Sequence, residues 1–200
     1  MLYQAYELTH ALLAPYRALS QVAQYVNSSI YNPISYTPFG KSVSAFCNVF
    51  NSVTKRYGKP EWVISDTELD VETIPVDIET VLFTPFCDLI QFQKSPSKKQ
   101  AASDPKVLLV APLSGHYATL LRGTVAAMLP EHEVFITDWR DARNVPVSEG
   151  TFDLDDYIDY VMEFLRVLGP NTHVVAVCQP GPAVLAAPAL MAADGDAATP

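Results

Sequence analysis

From Asp104 onward the chain alternates continuous apolar runs with amphipathic stretches, and few folds accommodate that order. KVLLVAP, bounded by Pro105 and Pro112, HEVFITDW and THVVAVC carry apolar residues at successive positions, so the strands they predict are buried on both faces. Between them, YATLLRGTVAAMLP and LDDYIDYVMEFLRVLG repeat apolar residues at the helix period and stop at Pro130 and Gly169. This pattern predicts strands over residues 106–111, 133–137 and 173–177 and helices over 117–128, 154–168 and 182–192. Such an order implies an α/β fold, a mostly parallel sheet with helices on both faces. Right-handed crossovers place the functional loops at the carboxyl ends of its strands.

The first sixty residues have a different texture. Leu8, Ala11, Leu12, Tyr16, Leu19, Val22 and Ala23 recur at helix spacing and predict a helix over residues 2–26. The turn-rich NSSIYNPISYTPFGKS follows, then a second helical stretch from Val43 to about Tyr57, stopped by Gly58. EWVISDTELDVETIPVDIETVLFTPFCDLIQFQ alternates apolar and polar residues, which predicts antiparallel strands near Trp62, residues 76–83 and 89–92 at one edge of the sheet. Pro75 marks its strand as an edge strand, because proline has no N–H for the ladder. The division expected is a helical segment, residues 1–60, and an α/β domain, residues 61–200.

Charge and cysteine content narrow the function classes. A net charge of −9 excludes a nucleic-acid backbone as partner, since nothing here would release phosphate counterions. The short basic run from Lys94 to Lys99 reads as a solvated loop. MLYQAYELTHALLAPYR lacks the basic start of a secretory signal, and no apolar run approaches the roughly 20 residues that span a bilayer. A cytoplasmic protein is expected. Cys47, Cys87 and Cys178 are odd in number and have no CxxC spacing, so neither a disulfide framework nor a zinc site is expected. No cofactor is expected either.

Cys178 is the residue on which chemistry turns. It ends the third buried strand, where the chain must turn sharply into a helix, as at the nucleophile elbow G-x-S-x-G. The five matching residues are Ala176, Val177, Cys178, Gln179 and Pro180, with proline in place of the second glycine. A thiolate at this point would attack a carbonyl carbon, favoured by the positive end of the following helix. The backbone N–H of Gln179 would face the oxyanion, and the loop LSGHYA would supply a second donor from Ser114 or Gly115. The alternative is a small buried cysteine with a packing role, as expected for Cys47 and Cys87. His116 and Asp138 are candidate walls of the site, Asp138 with an alternative role as a helix cap or as ion-pair partner of Arg140 or Arg143. His173 opens the strand that Cys178 ends, about 16 Å away at strand rise, and is excluded as its base. Asp153, Asp155, Asp156 and Asp159 sit at a helix start, where capping and dipole stabilisation account for them, with no metal.

Several stretches, among them YTPFGKS, RYGKPEW, PFCDLIQF, DPKVLLVAPLSGHYATLLRGTV, VFITDWRDAR, FDLDDYIDYV and THVVAVCQP, resemble the intracellular polyhydroxybutyrate depolymerases. The resemblance spans essentially residues 1–193 and implies an α/β-hydrolase-like fold whose cysteine nucleophile falls on Cys178. It implies hydrolysis of poly(3-hydroxybutyrate) esters without a metal, at storage granules in the cytoplasm. A polyhydroxyalkanoate synthase-like acyltransferase is the nearest enzymatic alternative, and a non-catalytic granule-associated protein the other. The chain departs from the fold's order of nucleophile, acid, histidine: Asp194 and Asp196 follow Cys178, but all four histidines precede it. The expectation is therefore an amino-terminal portion, truncated after the elbow and lacking the base that turnover needs.

Overall fold

A computed structural model describes residues 2–29, 31–69, 72–95, 104–113 and 117–200. The chain forms two compact units, residues 1–58 and 59–200.

The first unit is helical. Residues expected to form one helix form two, α1 (Leu2–Leu12) and α2 (Ala14–Ser28). Pro15 is the reason: it has no N–H to continue the ladder, but it fits the first turn of a new helix. A 3-10 turn, Pro33–Tyr36, leads into α3 (Pro38–Thr54), which starts five residues earlier than expected. Thr37 caps it by accepting from the Gly40 N–H, and Pro38 occupies its first turn. Gly40 also lets α3 press on the 3-10 turn, for a Cβ there would collide with the Ile34 carbonyl. Buried Asn27 of α2 donates to the Gly40 carbonyl and to Ser44 Oγ, tying α2 to α3. Between α2 and α3 runs an apolar groove of about 480 Å³ lined by Tyr16, Leu19, Ala23, Phe46, Cys47 and Phe50.

The second unit is a mixed α/β structure built on a six-stranded sheet ordered β1-β2-β3-β5-β4-β6. Its strands are β1 (Asp66–Leu69), β2 (Glu72–Leu82), β3 (Cys87–Lys94), β4 (Lys106–Val110), β5 (Glu133–Trp139) and β6 (Thr172–Ala176). The three strands expected to be parallel are so: β4 pairs with β5 on one side and β6 on the other. The β1, β2 and β3 pairings are antiparallel, as is that of β3 with β5.

Two strand expectations need correction. Trp62 lies in no strand; its buried indole packs edge-on against Phe92, at 5.0 Å, and the first strand starts at Asp66. Pro75 lies in a strand that is interior in the sheet order, yet each half of β2 is paired on one side only. Residues up to Pro75 pair with β1 and those from Val76 with β3, so the proline stands where the ladder changes sides. Lys94, read as part of a solvated loop, ends β3 with its ammonium 2.5 Å from Asp104 and 2.8 Å from the Leu129 carbonyl.

Helices connect the parallel strands. After β4 a 3-10 turn, Ala118–Leu121, precedes the short α4 (Arg122–Met128), where one helix was expected. α5 (Leu154–Leu168) joins β5 to β6, and α6 (Gly181–Ala193) follows β6 and packs on α5. Asp153 begins α5 with a reciprocal capping box shared with Asp156, which accounts for the acidic cluster as a helix start. The core gathers Leu108, Leu109, Ile136, Phe164, Leu165 and Met191, none of them reaching solvent. β6 is the margin of the sheet: it pairs only with β4 among the described residues, and Val174, Val175 and Ala176 are half-buried.

Candidate functional site

The path of the chain defines a crevice. From β4 it passes through α4 to β5 on one side, then returns through α5 to β6 on the other. The general rule that such crossovers are right-handed puts α4 and α5 on opposite faces, which makes the carboxyl ends of β4 and β6 the topological switch point, where a crevice is expected. The loop after β4 and the turn after β6 flank this point.

Cys178 stands in the turn after β6. The Val177 N–H still bonds the Val110 carbonyl of β4, at 3.3 Å, but Cys178 has φ +67, in the left-handed region that non-glycine side chains rarely occupy. The Gly181 N–H then reaches back to the Cys178 carbonyl and α6 begins, with Pro180 as N-cap and Pro182 in its first turn. Pro180 thus replaces the usual glycine at a position where its fixed φ, observed at −70, suits the helix start. The thiol is exposed, whereas Cys47 and Cys87 are buried. That contrast separates Cys178 from the packing thiols.

Three side chains at the carboxyl edge hold the chain leaving β4, two from β5 and one from the turn after β6. Thr137 Oγ1 accepts from the Ala111 N–H at 2.9 Å, Trp139 Nε1 donates to the Ala111 carbonyl at 3.0 Å, and Gln179 Oε1 accepts from the Leu113 N–H at 2.8 Å. The last of these bridges the crevice, from the residue after Cys178 to Leu113, the first residue of the expected oxyanion loop LSGHYA. Ser114, Gly115 and His116, to which donor and wall roles were assigned, lie outside the described residues.

Asp138, next to last in β5, lies near the same edge, but β4 separates it from β6. Two strand spacings put it about 10 Å from the Cys178 side, beyond contact with the thiol. Its ion-pair partner is Lys59, in place of the expected Arg140 or Arg143. Arg140 reaches across to Asp88 at 2.7 Å, and Arg143 pairs with Asp141 in its own turn. Cys87 lies beside this cluster, and burial, reinforced by the Asp138 and Asp88 carboxylates, pushes its thiol well up. It stays protonated and unreactive. Burial likewise raises the phenol of Tyr157, which stacks on Trp139 with ring centres 4.5 Å apart.

The histidines of this unit that are described stand at the opposite edge. His132 precedes β5 and its ring contacts the Met128 carbonyl, and His173 is the second residue of β6. Of the acids after Cys178, Asp196 is engaged by the Ala198 N–H and the Arg166 guanidinium, which together hold its carboxyl below the ordinary value. Among the described residues, no group of three or more His, Cys, Asp or Glu side chains could hold a metal ion, and no helix is long and apolar enough to cross a membrane.

Sequence reasoning placed Cys178 at the end of a buried strand, and the structure has it exposed on the turn that follows β6. Sequence reasoning missed the pins on the β4 loop; the available signal was Thr137, a polar residue inside the apolar run VFITDW. No protein-family model, curated protein or solved structure matches the chain.

Proposed function

We propose that this chain carries the nucleophile of an α/β-hydrolase-like enzyme acting on carboxylic esters, with Cys178 as the attacking group. The observation that carries the reading is an exposed thiol at φ +67 on a strand-to-helix turn beside the crevice between β4 and β6. Backbone strain of this kind persists where the surroundings impose it, and it clusters at reactive residues. Cys178 is exposed on that turn, and the backbone N–H of Gln179 is the nearest main-chain donor in sequence for a developing oxyanion.

The substrate we assign is poly(3-hydroxybutyrate) or a related storage polyester, at the surface of a granule in the cytoplasm. The sequence resemblance suggests the ester. The helical unit supports an apolar partner, since Tyr16, Leu19, Tyr25, Phe39 and Phe46 are all more than 60% exposed.

The reaction splits into two steps. Thiolate attack on the carbonyl carbon forms a C–S bond and expels the alcohol as alkoxide, which takes up a proton; water then cleaves the thioester. The second step needs a group that deprotonates water, a contribution of about 10²- to 10⁴-fold. Among the described residues no histidine lies on the carboxyl edge, and His116 is the one that the sequence puts there.

The test is intact-mass analysis after exposure to p-nitrophenyl butyrate. One butyryl group on Cys178, lost in Cys178→Ala, is expected; no adduct, or adducts on Cys47 or Cys87 instead, overturns the reading. With amorphous polymer, residues 1–200 are expected to release negligible 3-hydroxybutyrate. Sustained release would assign the base to His116, the first residue then to replace.

A further inference from the structure

The hydrogen bond across the crevice, from the Leu113 N–H to Gln179 Oε1, joins the two strand ends that any substrate at Cys178 must lie between. We propose that Gln179 is a positioning residue: its carboxamide clamps the turn after β6 to the chain leaving β4, holding the main chain beside Cys178 at one spacing for acyl transfer. The inference rests on the ester-attack reading above and adds a role that the backbone of Gln179 alone does not have.

Three observations converge on it. The side chain is exposed and lies outside the hydrophobic core, so its bond to Leu113 is not a by-product of packing. The chain on the β4 side is already fixed at Ala111, by Thr137 through the N–H and by Trp139 through the carbonyl. That leaves Leu113, two residues further on, as the next main-chain group to be held, and Gln179 holds it. The clamp also acts where the chain is strained, one residue after Cys178. A turn at φ +67 can relax toward ordinary dihedral angles unless neighbouring contacts over-determine it, and a bond to the adjacent strand end is such a contact.

Preorganised donors matter only for a reaction that develops charge on a carbonyl oxygen. Acyl transfer does so: the thiolate adds to the ester carbonyl, the oxygen becomes an oxyanion, and p-nitrophenolate leaves with its bonding pair. Alkylation by iodoacetamide does not, because sulfur displaces iodide at a saturated carbon. The two reactions use the same thiol, and only one needs the clamp.

Gln179→Leu keeps the size of the side chain and removes the acceptor. In the full 200-residue chain, acylation of Cys178 by p-nitrophenyl butyrate is expected to slow by about tenfold to a hundredfold, up to the loss typical of one missing oxyanion donor. Alkylation of Cys178 by iodoacetamide should keep its rate, and the Leu113 amide should exchange faster with deuterium. Equal slowing of both reactions would show a general distortion of the turn and overturn the proposal, as would acylation at the unaltered rate. If the unsubstituted protein is not acylated at Cys178 at all, the ester-attack reading fails, and this inference with it. Acylation that is present but insensitive to Gln179→Leu overturns the inference alone.

Discussion

A left-handed backbone at a side-chain-bearing residue costs of order 1–3 kcal/mol, and Cys178 bears that cost in an exposed turn where glycine would avoid it. Two substitutions separate the backbone from the thiol. Cys178→Ala removes the sulfur and keeps the strain, whereas Cys178→Gly removes both. The glycine variant is expected to be more stable than the alanine variant by about 1 kcal/mol in urea unfolding, a difference reduced by the greater freedom of glycine in the unfolded chain. Both should fail to form the acyl adduct. Equal stability would mean that the turn is not strained. At this scale the sequence was informative where position along a strand decides local geometry: it put Cys178 at a strand-to-helix turn, and there it stands, exposed. The sequence was silent where partners come from afar: Lys59 meets Asp138 across 79 residues, and Gln179 meets Leu113 across 66. Neither periodicity nor charge spacing reports such distances.

Elements were legible in proportion to their length and regularity. α5, with its acidic cap, its apolar stripe and Gly169 at the end, was read from Leu154 to Leu168 as it stands. β4, β5 and β6 were placed to within two residues at either end. The break between α1 and α2 went unread because the apolar period continues through it while Pro15 does not. The position of β1 was missed because Trp62 and Ile64 are buried without belonging to a strand. Asp196 supplies a test at this level, since its pairing with Arg166 ties the segment after α6 to α5. A carboxyl held below its ordinary value binds fewer protons in the folded chain than in the unfolded one, so its contribution is full at neutral pH. It is lost as pH falls through the folded value. Asp196→Asn should therefore lower the urea midpoint at pH 7. The gap from the unsubstituted protein should narrow below the ordinary aspartate value near 3.8 and close at lower pH. A gap that is constant with pH would deny the ion pair its part.

The whole molecule is uneven in where it buries apolar surface. Among the described residues, Cys47 is the one buried hydrophobic side chain of the helical unit, whereas β4 and β5 are buried along most of their length and β3 along half of it. Protection from hydrogen exchange follows burial and contact density. Amides of α2 and α3 are expected to exchange well before those of β4 and β5 by mass spectrometry, and simultaneous exchange would show one cooperative unit. The margin at β6 carries a further consequence. An apolar, valine-rich strand that is unpaired on one side among the described residues offers main-chain donors and acceptors to any extended segment that meets it. The same edge that flanks the reactive turn is thus a template for strand addition. In concentrated solution these 200 residues should self-associate in a dose-dependent way, and Val174→Lys should suppress it by placing a charge on that edge. Light scattering that stays flat with concentration would show the edge to be covered.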